Sequence, residues 1–374
     1  MEALGHYFST VQQWLFELAV QPAMFALGLG NVLEDGYEAT AWFMVGLIQI
    51  AVLLAVIGPL QRWRPVEQVL DRATIRTDIL YTVIHRLGVF RIALFFTLEP
   101  WFDEAFGALR TEGYGTFHLD QLWPGVTDGA VVSFLIYLVV FDLLGYWIHR
   151  GQHQWGMWWR LHSLHHAQRQ MTMWSDNRNH LLDDLLVDSL LVIAAQLIGV
   201  APGQFIAIVA VTQLSESFQH ANLRLWFGQV GERLWVSPRF HRLHHTIGAG
   251  HETPVRSKQF SAGPPQGKLA PSGGSAAREA ASVEAGPSAG PPQGKFVLRG
   301  GSAAQEAASV GAVKPGGHNF GVLLPWWDML FGTANFEKRY DPTGIRDQVE
   351  TSRDYGQGFW SQQWLGLKRL VGRG

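Results

Sequence analysis

The chain contains no cysteine. Disulfide bonds, thiolate metal sites, cysteine-held iron–sulfur clusters and cysteine nucleophiles are therefore excluded. Charged residues are also scarce, at 16% of 374 residues, whereas 47% are hydrophobic and 16 are tryptophan. The net charge of −2 argues against nucleic acid as a partner. This composition is typical of a membrane protein rather than of a soluble enzyme.

Long runs with few charges predict membrane-spanning helices. Residues 39–61 carry no charge and exceed the roughly 20 residues that cross a hydrocarbon core. Residues 129–148 carry a single charge. Residues 181–223 form two apolar halves around Pro202, which predicts a helical hairpin.

A further apolar run, residues 79–98, contains His85, Arg86 and Arg91. Ionisable groups are costly inside a bilayer, so this run either spans it against other helices or lies at its surface as an interfacial helix. With it, the sequence predicts an all-α integral membrane protein. The predicted core has about four transmembrane helices, arranged as two hairpins.

Basic residues predict the orientation. Residues 1–61 contain neither lysine nor arginine, whereas the short loop 62–77 contains four arginines and residues 149–180 four more. The positive-inside tendency makes these two segments cytoplasmic. The sequence therefore predicts a helical cap on the cytoplasmic face of a bacterial inner membrane or an equivalent membrane.

One segment differs in composition from the rest. The motif of residues 261–268 returns at 288–295, and the surrounding sequence is rich in Gly, Pro, Ala and Ser. Such a segment cannot bury a core, so we predict a disordered, duplicated insertion with no catalytic role. The predicted organisation is an outer-face or interfacial segment 1–38, a membrane core 39–256, the insertion 257–314, a closing segment 315–336, and a C-terminal interfacial helix and tail 337–374.

The C-terminal run from Phe359 to Leu370 is rich in aromatic and leucine side chains and has Lys368 and Arg369 near its end. It predicts a helix that docks on the cytoplasmic leaflet. Packing against the catalytic domain is the alternative.

Eight of the fifteen histidines lie in three tight clusters, and these clusters dominate the functional interpretation. Residues three or four apart share one face of a helix, so their imidazoles can converge on one centre. The clusters are His149 and His153, then His162, His165 and His166, and finally His241, His244 and His245.

Eight clustered histidines indicate two metal ions, because a single zinc site needs only three or four ligands. Neutral imidazole suits Fe, Cu, Zn and Ni. No His-Glu-x-x-His signature of a zinc protease is present. Two redox-active irons beside a lipid-facing pocket fit best. The alternative from another class is a non-catalytic membrane metal-binding protein, although a carrier normally places its ligands near the bilayer midplane.

The ordered motifs of residues 125–336 resemble the fatty acid hydroxylase/sterol desaturase superfamily of integral-membrane di-iron enzymes. The resemblance implies a four-span core, a cytoplasmic di-iron pair held by the eight clustered histidines, and O2-dependent hydroxylation or desaturation of a lipid. It is closest to bacterial lipid hydroxylases and alkylglycerol monooxygenase. The motifs are Tyr146-Trp147-x-His149-Arg150-x-x-His153, Trp159-Arg160-x-His162-x-x-His165-His166, Ser237-Pro238-x-x-His241-Arg242-x-His244-His245, and Asn319-Phe320-Gly321 with Trp327-Asp328-x-x-Phe331-Gly332-Thr333.

Two more histidines are candidate ligands. His180 and His220 stand at the two feet of the predicted hairpin, so both return to the face that carries the clusters. A matching histidine precedes the third cluster in the superfamily, which favours His220. The alternative for His180 is a hydrogen-bonding role beside the metal or at the interface.

Metal-bound histidines usually donate their second N–H to a carboxylate or a carbonyl. The candidates for such orienting groups are Asp142, Asp184, Asp188 and Glu216, and Asn319 closes the site or forms a turn. For Asp183 and Asp184, helix capping or solvation is an equal alternative.

The predicted reaction consumes O2 and two external electrons. The sequence has no dinucleotide-binding Gly-rich fingerprint after a strand. We therefore expect a separate ferredoxin- or cytochrome-type protein as electron donor. The expected substrate is a membrane lipid.

Overall fold

The computed structural model describes residues 2–248 and 317–373. These ranges are helical, and the only β-type pairing within them is an isolated bridge between Thr246 and Thr343. The all-α prediction is therefore confirmed for the described chain. The predicted insertion, residues 257–314, lies outside the described residues.

The helices of the described ranges differ widely in length. In chain order they are α1 (Glu2–Leu15), α2 (Gln21–Ala26), α3 (Leu33–Val52), α4 (Gly58–Trp63), α5 (Arg72–Arg86), α6 (Val89–Thr97), α7 (Glu99–Thr111), α8 (Ala130–Gln154), α9 (Gly156–His166), α10 (Leu181–Ile198), α11 (Pro202–His220), α12 (Gly228–Gly231), α13 (Pro238–His244), α14 (Trp326–Leu330), α15 (Arg346–Glu350) and α16 (Phe359–Leu370).

Two helices are long and apolar enough to cross a membrane. One is Gly30–Trp63, in which a π-helical turn joins α3 to α4, and the other is α8. Only 28% of the first apolar window and 39% of the second are buried by the rest of the chain. Exposed side chains such as Leu47, Ile48 and Leu135 therefore form apolar surfaces suited to contact with lipid.

Helices α10 and α11 form the predicted hairpin. Gly199 ends α10 in the left-handed conformation that favours glycine, and Pro202 occupies the first turn of α11. Three aspartates lie in the first half of α10, so this helix is less apolar than α3 or α8. The hairpin begins and ends beside the histidine clusters.

The run 79–98, predicted as one spanning or interfacial helix, is divided between two helices. The structure has α5 and α6 there, separated by Leu87 and Gly88, and Gly88 has φ +77°. A left-handed glycine terminates a helix, so α6 starts in a new direction. The helix predicted to begin at residue 39 begins earlier, at Leu33, and its first turn carries Glu34 and Asp35. Acidic groups are favourable at that end of a helix.

The closing segment and α16 are distant in sequence from the helices that they contact. The closing segment contacts α8, and α16 contacts α9 and α5. Asp142 on α8 accepts hydrogen bonds from the backbone N–H of Leu323 and Leu324 and from Trp327 Nε1. Helix α16 packs on α9 and α5. One face of α16 is buried, but Trp360 is 80% exposed and Trp364 60% exposed. Packing and an exposed aromatic face thus coexist on this helix.

Candidate metal centre

Nine histidines meet at one end of the bundle. They come from the last turns of α8 and α9, the last residue of α11, and α13 with the residue that follows it. They form two sets of four that we call the α8–α9 group and the α11–α13 group, with His244 beside both.

The α8–α9 group consists of His149, His153, His162 and His166. Each contributes one ring nitrogen, and these four atoms all lie within 4.8 Å of one another. His149 and His153 are one turn apart on α8, and His162 and His166 are one turn apart on α9. The two pairs face each other because α9 begins directly after α8.

The α11–α13 group consists of His165, His220, His241 and His245. The Nε2 atom of His220 lies 3.1 Å from Nε2 of His165 and 3.1 Å from Nε2 of His241, which lies 3.1 Å from Nε2 of His245. Metal–imidazole bonds are about 2.0–2.1 Å, so two nitrogens on one ion are separated by roughly 3 Å. This spacing matches the edges of a coordination polyhedron.

The two groups are neighbours. His166 of the first group and His245 of the second stack with ring centroids 4.3 Å apart, and both share a further possible ligand set with His244. Two ions held in the two groups would therefore be close together.

Burial keeps the cluster in the neutral form that binds metal. The pKa values of His165, His166, His241, His244 and His245 are held well below the ordinary value, first by desolvation and then by neighbouring histidines. Within the described residues, the buried Nε2 atoms of His162, His166 and His244 have no hydrogen-bond partner. A metal ion would satisfy these lone pairs, so the donor set fits one.

The second ring nitrogen is what orients several of these histidines. His149 Nδ1 lies 3.0 Å from the carbonyl oxygen of Phe320, and His244 Nδ1 lies 2.7 Å from that of His318. His220 Nδ1 lies 2.8 Å from the carbonyl oxygen of Glu216. Each Nδ1–H therefore donates to a carbonyl and leaves Nε2 facing the cluster.

His180, predicted as a further ligand, is not brought into either group. It caps the N-terminus of α10, where its Nδ1 accepts a hydrogen bond from the N–H of Leu182. Its Nε2 lies 2.9 Å from the carbonyl oxygen of Gln363 on α16. Because both ring nitrogens are used in this way, the ligand prediction for His180 is wrong, and a hydrogen-bonding role replaces it. His220, in contrast, lies within the α11–α13 group.

None of the four carboxylates predicted to orient histidines does so with its side chain. Asp142 anchors the closing segment, and Asp184 lies 3.3 Å from His85 Nε2. Asp188 and the side chain of Glu216 line a cavity. The prediction that these side chains contact the clustered rings is therefore corrected for Asp142, Asp184, Asp188 and Glu216. Glu216 does contact His220, but through its backbone oxygen.

Asn319 has a structural role at the closing segment. Its φ of +60° is in the left-handed region, which asparagine tolerates better than most residues. Its amide nitrogen donates to the carbonyls of Phe240 and Asn335. The carbonyls of His318 and Phe320 on either side are thereby held against His244 and His149, so the predicted closing and turn roles are the same role.

Asp183, which was not among the predicted orienting carboxylates, contacts a clustered histidine. Its Oδ2 lies 3.0 Å from His162 Nδ1, and its Oδ1 accepts from Gln152 Nε2 and Trp158 Nε1. The signal available was a pair of adjacent aspartates at the start of α10, and the packing of α10 against α9 decides between them.

A cavity of about 1010 Å³ opens from the cluster into the bundle. This volume lies at the upper end of the roughly 300–1,000 Å³ of ligand pockets. His149, His162, His165, His220 and His241 line one end of it. Apolar side chains line most of the remainder, including Phe43, Leu94, Leu191, Phe205 and Val209.

Replacing Asp183 by asparagine is expected to lower metal retention or metal-dependent activity about 10–100-fold. Asp183 accepts three hydrogen bonds, and an amide NH2 would face a donor in either orientation. Metal content per chain after purification measures the effect. Asp128→Asn, at an exposed position, is the matched control. Equal metal content in the two variants would contradict the orienting role of Asp183.

Comparison with known proteins agrees with this geometry. The family model described as "Fatty acid hydroxylase" matches residues 134–257. The chain is 27% identical over 205 residues to the ornithine lipid hydroxylase OlsE of Rhizobium tropici. The aligned region covers 55% of this chain and 60% of that protein. It is 28% identical over 130 residues to the very-long-chain aldehyde decarbonylase GL1-4 of Oryza sativa subsp. indica, covering 32% of this chain and 21% of the relative.

The chain thus spans less than two thirds of the length of either relative. No solved structure matches it. The family match includes every histidine of the two groups, and the match to the bacterial enzyme extends well beyond a single motif. Residues 134–257 thus match the fatty acid hydroxylase family, and the chain is similar to a bacterial lipid hydroxylase.

Proposed function

We propose that this protein is an O2-dependent di-iron hydroxylase that acts on a C–H bond of a membrane lipid or of a fatty acyl or sterol-type substrate. One observation carries the proposal: two groups of four histidines meet at the end of a largely apolar cavity. The match of residues 134–257 to the fatty acid hydroxylase family and the similarity to an enzyme named as a lipid hydroxylase support it.

The α8–α9 group would hold one iron and the α11–α13 group the other, with His244 available beside both. Zinc has no redox chemistry, whereas insertion of an oxygen atom into a C–H bond requires a metal that changes oxidation state. Iron bound there supplies the activation of O2 and the oxidation of the C–H bond.

The residues of the chain bind, orient and exclude water. The apolar part of the cavity accepts a lipid chain and keeps bulk water from the cluster. Asp183 and the carbonyls of His318 and Phe320 hold three of the imidazoles in one orientation. Fixed ligands require little rearrangement during the reaction.

The overall reaction balances as RH + O2 + 2 e⁻ + 2 H⁺ giving ROH and H2O. The electrons must come from outside this chain if it carries no reductase segment. We therefore propose that a separate ferredoxin- or cytochrome-type protein donates the electrons.

The proposed setting is a bacterial inner membrane or its equivalent, with about four spans and the histidine cluster at the cytoplasmic face. The apolar helices Gly30–Trp63 and α8 support two of these spans. The α10–α11 hairpin would supply the others, with its aspartates turned toward the cavity rather than toward lipid.

The absence of native cysteine makes this orientation directly testable. A single cysteine at Arg233, an exposed position near the third cluster, is expected to react with an impermeant maleimide only from the cytoplasmic side. Tyr114 is 68% exposed in the loop between α7 and α8, which the proposed four-span topology puts on the opposite side, so a cysteine there is expected to react only from that side. Labelling of both from the same side contradicts the proposed topology.

The function is tested by comparing membrane lipids of cells that express the intact chain or the His165→Ala variant. A lipid heavier by one oxygen atom, formed only with the intact chain and O2, supports hydroxylation. A lipid lighter by two hydrogen atoms indicates the desaturase alternative, which uses the same site. An unchanged lipid profile with adequate iron and electron supply would favour the non-catalytic metal-binding protein and reject the enzyme.

A further inference from the structure

The cavity beside the histidine cluster has a polar wall within its otherwise apolar lining. Glu216 lies one turn before His220 on α11, and Asp184 and Asp188 lie on successive turns of α10. All three line the cavity. Four residues of a helix rise about 6 Å, so each carboxylate lies within one or two turns of a helix end that is beside the cluster. The wall is therefore close to the candidate metal centre.

Three other carboxylates of the same lining already have partners. Asp142 accepts hydrogen bonds from the closing segment, Asp176 from Arg86, and Asp183 from His162 and its neighbours. These groups are fixed by the fold and do not require a ligand.

Glu216 and Asp188 differ from those three. Among the described residues, no hydrogen bond to the side-chain oxygens of either one is formed. Arg86 acts electrostatically on Glu216, but it is engaged with Asp176. Asp188 lies in the field of Arg91, whose guanidinium stacks 3.7 Å from the centre of the Trp42 ring. Buried carboxylates without full compensation are costly, so an added positive group would be stabilising.

Gln219 provides an independent observation at the same wall. It is 1% exposed, and its amide nitrogen donates to Ser215 Oγ and to the carbonyl oxygen of Val322. Its buried amide oxygen has no hydrogen-bond partner in the described chain, and the residue lines the cavity next to His220. An unpartnered buried acceptor therefore adds to the unpartnered carboxylates, and both call for a ligand rich in donors.

The charge of the lining excludes the opposite kind of ligand. Arg91 is the only lysine or arginine among the described residues that line the cavity. An anionic head would be repelled by the carboxylates, whereas an ammonium group donates up to three hydrogen bonds to them.

We propose that this wall is a subsite for the ammonium group of a cationic lipid headgroup, so that the headgroup end of the lipid lies beside the histidine cluster. The acyl chain then occupies the apolar part of the cavity. The inference rests on the proposed function for its chemistry, and it adds both the class of substrate and the end of the molecule that is oxidised.

Binding is measured first, on the purified full-length protein in detergent. The probes are N-oleoylputrescine, which carries one ammonium group, and its N-acetylated form, which is neutral and has the same acyl chain. The intact protein is expected to bind the amine at least about tenfold more tightly, as for a charged hydrogen bond. Glu216→Gln and Asp188→Asn are expected to remove most of this preference, and Glu104→Gln, an exposed position on α7, to retain it.

Equal affinity for the two probes, no binding of either, or a preference that survives the double variant Glu216→Gln/Asp188→Asn overturns the subsite. Comparing the folded fraction of each variant by thermal unfolding separates loss of binding from loss of structure.

The position of oxidation is measured next, with iron, O2 and a chemical or protein reductant. Fragmentation of the product is expected to place the new oxygen on the putrescine part or on the carbons next to the amide. Oxygen on a remote acyl carbon overturns the orientation but leaves the hydroxylase intact. Amine-selective binding without any oxygenated product supports the subsite and counts against the proposed function.

Discussion

Replacement of His241 by alanine is expected to remove one metal ion and to reduce lipid oxidation by more than roughly 100-fold. Loss of a group that only orients a ligand already costs about 10–100-fold, and His241 itself lies within the ligand set. Its Nε2 is 3.1 Å from Nε2 of His220 and 3.1 Å from Nε2 of His245.

Metal analysis of the purified protein checks this expectation without a substrate. The intact chain is expected to retain about two iron ions, and His241→Ala about one. The matched control is His6→Ala, an exposed histidine on α1 outside both groups.

A stability measurement adds a second, independent readout. A ligand that binds only the folded state raises the unfolding temperature, so a chelator should lower that temperature in the intact protein. The chelator effect should shrink in His241→Ala and stay unchanged in His6→Ala. If His241→Ala keeps the iron content and the chelator response of the intact protein, the α11–α13 group is not a metal site.

The convergence of the histidines was accessible from sequence for a local reason. Spacing of three or four within α8, α9 and α13 places ring after ring on one helix face, whatever the tertiary packing. The feet of a hairpin bring His220 to the same end. His180 occupies the corresponding foot, but it precedes its helix and caps it, so its ring is turned toward backbone donors and acceptors.

The groups that orient the rings were not accessible in the same way. Asp183 and Asp184 are neighbours, and on a helix neighbouring side chains point about 100° apart. Only the packing of α10 against α9 decides that Asp183 contacts His162 and that Asp184 contacts His85 instead. Backbone carbonyls, such as those of His318 and Phe320, carry no signal in residue type at all.

The break between α5 and α6 illustrates a third limit. Residues 79–98 form one apolar run in the sequence, but the conformation of a single glycine, Gly88, divides it. Isolated glycines inside helices are tolerated often enough that composition does not reveal which one adopts a positive φ. The consequence is functional, because α5 thereby ends at Arg86, in the middle of the bundle.

Replacement of Arg86 by methionine is expected to lower the free energy of unfolding by about 3–5 kcal/mol, the effect of breaking a buried ion pair at one partner. Arg86 is 3% exposed, and its Nη2 donates to Asp176 Oδ2, to the carbonyl of Gln213 and to Ser217 Oγ, each at 2.9 Å. Its Nη1 donates to the side-chain oxygens of Gln49 and Gln213. One guanidinium therefore joins α3, α5, α11 and the loop that precedes α10.

The backbone around Arg86 leaves no room for rearrangement. A Cβ atom at Gly46 on α3 would lie only 1.7 Å from the carbonyl oxygen of Arg86, so the two helices touch backbone to backbone there. Small residues permit such close approach between helices in membranes. Methionine at this position leaves Asp176 without its charge partner.

Thermal or denaturant unfolding of the purified protein measures the loss, with Arg110→Met at an exposed position as the control. Arg86→Lys should be intermediate, since an ammonium keeps the charge but cannot reach all of the acceptors that the guanidinium fork serves. The double variant Arg86→Met/Asp176→Asn should recover part of the loss because it removes the unpaired charge. A loss in Arg86→Met no larger than in Arg110→Met would refute the role of this ion pair.

The effect of Arg86 should also reach the candidate metal centre. Asp176 Oδ1 lies 3.8 Å from His220 Nδ1, so the carboxylate that Arg86 holds also faces a ring of the α11–α13 group. When Arg86 is lost, Asp176 is free to move toward His220 or away from it, and the position of this ring changes in either case. We therefore expect Arg86→Met to retain less iron than the intact chain at a temperature where both are folded, and Arg110→Met to retain the same amount. Equal iron retention in Arg86→Met would mean that α11 holds His220 without help from the buried ion pair.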